Sequence, residues 1–185
     1  MGYYSRAANG LKKMFTAELY LIICEFFRAF MGDGTLVTVL TLGLSVYYMF
    51  GLYSVGQDIE GCKTAFNYKI ACIVINLFNA FVYLGVITII AKIVSVVLSI
   101  TAVYFVCESV IDALNRVGDY GTARLGKTAW KFFASCYILM VILMLFANYE
   151  VAIIMLICSV VSEVVFLVFL YKSSVSLSHN TAYRE

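Results

Sequence analysis

Apolar runs long enough to cross a membrane recur along this chain, and they constrain its fold more than any other feature. Thr35 to Val55, Ile70 to Ile90 and Val151 to Tyr171 are each 21 residues long. As helix, that length is about 31 Å, against a hydrocarbon core of about 30 Å. The composition agrees. Of 185 residues, 63% are hydrophobic and 13% charged, where soluble domains have about 45–50% apolar and about 25% charged residues. A core of this size cannot hide so many apolar side chains, so the solvent for most of the chain is lipid.

The expected fold is all-α, a polytopic membrane bundle of six helices arranged as three hairpins. The spans are read at about 14–31, 35–55, 70–90, 93–113, 132–149 and 151–171, with an N-terminal segment 1–13 and a polar tail 172–185. Phe132 to Tyr149 is slightly short and extends to Trp130 at the interface. Ile70 to Cys107 is apolar apart from Asn76, Asn79, Lys92 and small hydroxyls, and reads either as one long helix or as a hairpin turning at Lys92. Arg6, Lys12 and Lys13 ahead of Met14–Met31 resemble the start of a secretory signal. However, Glu18, Glu25 and Arg28 interrupt that stretch and no small-residue cleavage pattern follows it, so it is read as a retained span.

The placement of Lys and Arg decides between the topologies, because cytoplasmic segments retain positive charge. With six spans and a turn at Lys92, eleven of the thirteen basic residues fall on one side, Lys92 on the other and Arg28 within the first span. A first segment lying flat in the interface gives at best eight against five. Six spans with both termini cytoplasmic is therefore the expectation. A cell membrane is the expected location, a bacterial inner membrane being favoured over a eukaryotic endomembrane.

Each hairpin is entered through a lysine followed three residues later by an aromatic, at Lys12/Phe15, Lys63/Phe66 and Lys127/Trp130, with Gly10, Gly61 and Gly126 just upstream. An internal repeat produces this pattern. So does convergence, because snorkelling lysines and interfacial aromatics suit any cytoplasmic helix start. The chain contains no proline. Continuous helices are expected, which disfavours transporter folds built on broken helices.

Ionisable groups at membrane depth are the informative ones, since a charge at a span centre costs about 2.5–3.5 kcal/mol on insertion scales. Glu18, Glu25 and Arg28 fall within about 80° of one another on a helical wheel, and Glu25 and Arg28 can neutralise each other at i,i+3. Glu163 lies near the centre of the last span, one turn after Ser159 and beside Ser162. Asn76 and Asn79 share a face of the third span, where amides commonly bond across helices. These six residues, Glu163, Glu25, Arg28, Asn79, Asn76 and Glu18, are the candidate contacts for a small solute or ion. Structural bonding between helices is the competing explanation for each.

Catalysis finds no support in the sequence. The single histidine, His179, lies in the polar tail, and the six cysteines are scattered singly. No cofactor or metal is expected, and a net charge of +2 gives no nucleic-acid footprint. The basic stretch Leu114 to Lys131 is explained by anionic lipid headgroups. The expected role is a non-catalytic accessory or scaffold component whose partners are the lipid bilayer and other membrane subunits or copies of itself. The alternative is a binding or transport subunit for a small cationic or zwitterionic solute or protons, with Glu163 as counter-ion.

Overall fold

The structure, a computed structural model, describes residues 4–31, 34–81, 85–143 and 149–182. Among these the chain is entirely helical outside its short connections. The helices are α1 (Ser5–Met31), α2 (Thr35–Asp58), α3 (Gly61–Phe81), α4 (Gly85–Val117), α5 (Tyr120–Leu143) and α6 (Tyr149–Ala182). Four segments are long and apolar enough to cross a membrane: Thr35–Asp58, Ile93–Val117, Tyr120–Leu143 and Ile157–His179. In α1, Glu18, Glu25 and Arg28 dilute the apolar stretch, and the expected span 70–90 runs through residues 82–84, outside the described ones.

Each helix packs on the next in sequence, and α1 packs on α6 to close the ring. Neighbours run antiparallel, as the paired contacts show. Ala7 meets Asp58 and Arg28 meets Thr41 across α1 and α2. Tyr68 stacks on Phe105 and Cys72 reaches Ser95 across α3 and α4.

The helices extend well beyond their apolar parts. The segments 56–69 and 114–131, expected as loops, are largely helical, with two-residue connections at Ile59-Glu60 and Gly118-Asp119. The polar tail from residue 172 is likewise helical as far as Ala182. Hydropathy marks where a helix meets lipid, whereas packing sustains it beyond that point. At this end Ala7, Leu11, Val55, Cys62, Val110, Leu114, Ala123 and Leu177 are all buried and belong to one core.

The second hairpin is corrected more sharply. Lys92, the expected turn, is inside α4, while residues 82–84 between α3 and α4 lie outside the described ones. A lysine is a good helix former and has no backbone reason to end a helix. Between the expected spans 132–149 and 151–171, residues 144–148 lie outside the described ones, and Tyr149 and Glu150 already belong to α6.

The α4–α5 connection shows how so short a turn is made. Gly118 adopts φ +87°, where a Cβ would be strained. The Asp119 N–H then donates to the Leu114 carbonyl at 3.0 Å and the Gly118 N–H to the Asn115 carbonyl at 3.2 Å, closing α4. Asp119 also starts α5, its carboxylate accepting the Thr122 N–H at 3.0 Å. That bond holds the Asp119 carboxyl below its ordinary range.

The three glycines of the repeated pattern mark close approaches between helices. A Cβ on Gly10 would come within 2.6 Å of the Gly51 carbonyl oxygen, and one on Gly51 within 2.8 Å of the Gly10 oxygen, so α1 and α2 cross backbone to backbone. A Cβ on Gly61 would collide with Ser109 of α4, and one on Gly126 would lie 2.6 Å from Phe169 of α6. Gly10 and Gly61 thus face the second helix of their own pair, whereas Gly126 also meets Ile111 of α4, 2.8 Å from where a Cβ would lie. The three aromatics pack on the preceding helix of the ring. Phe15 pairs with Tyr171 of α6 (5.4 Å between centroids), Phe66 with Tyr53 of α2 (5.9 Å) and Trp130 with Tyr104 of α4 (5.2 Å). The aromatic positions of the pattern therefore make corresponding contacts at three places in the fold.

Two expectations follow. Gly10→Ala gains helix propensity but collides with α2, and is expected to lower stability by about 1–3 kcal/mol. Gly43→Ala, at a helical position with nothing within 4 Å, is expected to raise it by about 0.5–1 kcal/mol. Unfolding of the purified protein in mixed micelles, followed by circular dichroism, reads both signs. Asp119→Ala is expected to cost about 1 kcal/mol near neutral pH. Because the folded carboxyl is held low, its contribution is present above the ordinary carboxyl range and fades as pH falls through the folded value. The gap between Asp119→Ala and the parent should accordingly close in acid unfolding curves below about pH 4.

Candidate functional site

Polar groups converge where α6 packs between α1 and α5. Glu163 is 8% exposed and Ser162 beside it is fully buried. Spacing on α6 places Ser159 one turn before Glu163, and its hydroxyl donates to Glu163 Oε1 at 3.2 Å. From α5, the Tyr137 hydroxyl donates to the same oxygen at 3.4 Å. Ser162 turns its hydroxyl back to the Ser159 carbonyl at 2.7 Å, satisfying itself within the helix. Tyr137 is fixed by stacking on Phe133, 4.3 Å between centroids, and Phe133 packs in turn against Phe166. The Glu163 carboxylate is thus held by hydroxyls from two helices against an aromatic wall.

Around it lie the charges of α1. Glu18 and Glu25, both half-buried, are within electrostatic range of Glu163 and of Tyr137. Arg28, one turn after Glu25, interacts with that carboxylate and donates to the Thr41 hydroxyl of α2 at 3.5 Å. On the opposite side, Lys69 of α3 is within range of Glu18, and its ammonium stands 5.5 Å from the centre of the buried Tyr48 ring. Among the described residues this interior set holds three carboxylates and two cations. In a low dielectric the unmatched carboxylate must hold a proton or meet a small cation. Arg28 offsets part of the Glu25 charge and Lys69 part of the Glu18 charge, whereas the hydrogen-bond donors to Glu163 are neutral hydroxyls.

The structure thus brings Glu163, Glu25, Glu18 and Arg28 into one electrostatic neighbourhood. It does not bring Asn76 there, since that residue is exposed on α3. Asn79 lies on the same helix, and its side chain is outside the described residues. Glu108, Asp112 and Arg116 are exposed on the last turns of α4. All six cysteines are free thiols, and among the described residues no three histidine, cysteine or acidic side chains cluster as metal ligands.

Tyr137 and Lys69 were missed by the sequence reading. Tyr137 is detectable in principle, because it and Glu163 are equidistant in sequence from Glu150, at the expected hairpin turn. In an antiparallel helix pair such mirror positions meet. Lys69 gives no such signal, since it looks like an ordinary interfacial lysine until α2 and α3 place it over Tyr48.

A double-mutant cycle on Tyr137→Phe and Glu163→Gln is expected to give a coupling of about 0.5–1.5 kcal/mol in micellar unfolding, the range for hydrogen bonds between membrane helices. Strict additivity would mean that the two side chains do not interact. Comparison with protein family models, curated proteins and solved structures finds no match for this chain.

Proposed function

We propose that the protein is a six-span membrane protein of three hairpins, with both termini cytoplasmic, serving as a non-catalytic accessory or scaffold component of a membrane assembly. The observation that carries this reading is the satisfaction of Glu163 by the bundle's own Tyr137 and Ser159. A group held in this way acts as a structural bond between α5 and α6. Continuous helices and the absence of proline favour the same reading, since broken helices commonly build transporter binding sites. Broad apolar faces, such as Leu36, Val39, Leu40, Val46 and Phe50 on α2, are exposed and suited to lipid or to neighbouring membrane helices.

Topology is tested by thiol labelling of sealed vesicles in a cysteine-free background. Glu60→Cys, Tyr120→Cys and His179→Cys should label from the cytoplasmic face and Gly34→Cys from the other. Labelling of Glu60 and Tyr120 from opposite faces would refute six spans. The scaffold role is tested by mild-detergent purification, which should recover other membrane subunits or a homo-oligomer in fixed proportion.

A second reading rests on a separate observation, the three interior carboxylates facing two cations. The unmatched Glu163 is the counter-ion for a small cation or a proton path. Under that reading Glu163→Gln abolishes cation or proton flux into liposomes while the protein still elutes as folded. Equal flux in both proteins would exclude it.

A further inference from the structure

The groove between the N-terminal part of α1 and the C-terminal part of α6 is a recess that the scaffold reading leaves unused. It encloses about 510 Å³ and is lined on α1 by Asn9, Lys12 and Thr16 and on α6 by Ser174 and Ser178. Helical spacing puts the first three on one face of α1, at i, i+3 and i+7, and the last two one turn apart on α6. At its inner end the Phe15 and Tyr171 rings meet. In the proposed topology Met14 begins the first span and Tyr171 ends the last. The groove therefore crosses the cytoplasmic headgroup layer, with the aromatic pair at the acyl boundary where such rings settle.

We propose that this groove binds the headgroup of an inner-leaflet anionic phospholipid carrying a polyol, a phosphoglycerol being the simplest case. This rests on the topology proposed above. Lys12 is exposed, and among the described residues it is the single charged side chain lining the groove and no carboxylate lines it. Lys12 and the Asn9 amide supply donors to a phosphodiester. The hydroxyls supply the opposite polarity. Thr16 donates to the Lys12 carbonyl at 2.9 Å and Ser174 to the Tyr171 carbonyl at 2.8 Å. Each hydroxyl hydrogen is already engaged, so the oxygen is left to accept. Acceptors beside a phosphate site match a headgroup that itself carries O–H donors, and they do not match a choline. The recess on the other side of α6 makes the contrast. It also carries a lysine, Lys172, but Asp119 lines it, and the Thr122 N–H keeps that carboxyl ionised near neutral pH, which repels a phosphate.

Native mass spectrometry of the full-length protein, titrated with phosphatidylglycerol or phosphatidylcholine, tests the proposal. The expected result is preferential retention of phosphatidylglycerol, weakened about fivefold by Lys12→Gln, the loss of roughly one interfacial charge. Lys172→Gln should leave it unchanged. Equal retention of the two lipids, or an unchanged preference in a folded Lys12→Gln protein, would overturn it. Displacement of the lipid by millimolar inorganic phosphate would also overturn it, by identifying a soluble anion as the ligand. Labelling of Arg6→Cys in sealed vesicles separates the two readings. Access from the cytoplasmic face supports the inner leaflet, and access only from the other face overturns the topology while the mass spectra still judge the groove.

Discussion

The backbone crossing of α1 and α2 at Gly10 and Gly51 is the contact on which the rest of the bundle depends. Helices in lipid gain little from hiding apolar surface, because the alternative neighbour is equally apolar. Close van der Waals contact and interhelical hydrogen bonds must hold them, and both require short axial separations. The small buried residues provide these at the end that carries the connections, with Ala7 and Gly10 on α1, Ala65 on α3, and Ala123, Gly126 and Ala129 on α5. Packed tightly there, the helices can continue past their apolar parts and be joined by two residues, as at Gly118-Asp119.

The polar interior follows from that geometry. Once α6 is flanked by α1 and α5, Glu163 cannot avoid the charges of α1, and its cost is met in part by the hydroxyls of Tyr137 and Ser159. Removing one member of such a set is more damaging than never having had it, because the remaining charges stay buried without partners. Lys69, which offsets part of the Glu18 charge, stands 5.5 Å from the centre of the Tyr48 ring.

Much of this fold was legible in the sequence, because lipid imposes a length and a polarity that hydropathy reads directly. The all-helical fold and the long apolar helices belong to that class. Lys92 misled because a charge in an apolar run does not by itself end a helix, and Lys92 lies inside α4. The regions 56–69 and 114–131 misled because tertiary packing, through Cys62 and Ala65 in the first and Leu114, Ala123 and Ala129 in the second, supports them as helix, which no local pattern displays. The repeated lysine, aromatic and glycine positions were visible as spacing alone. Their structural sense, with each aromatic packed on the preceding helix of the ring, required the ring of six helices to be closed.

The central claim is that Glu163 is a bond within the bundle, answered from α5 and from its own helix. The most direct measurement is an experimental structure of the full chain in lipid nanodiscs, at a resolution that places carboxylate oxygens. The account predicts Glu163 Oε1 within hydrogen-bond reach of both Tyr137 and Ser159, with the side chain closed off from water. A Glu163 carboxylate facing a hydrated chamber open to either side of the membrane would contradict it.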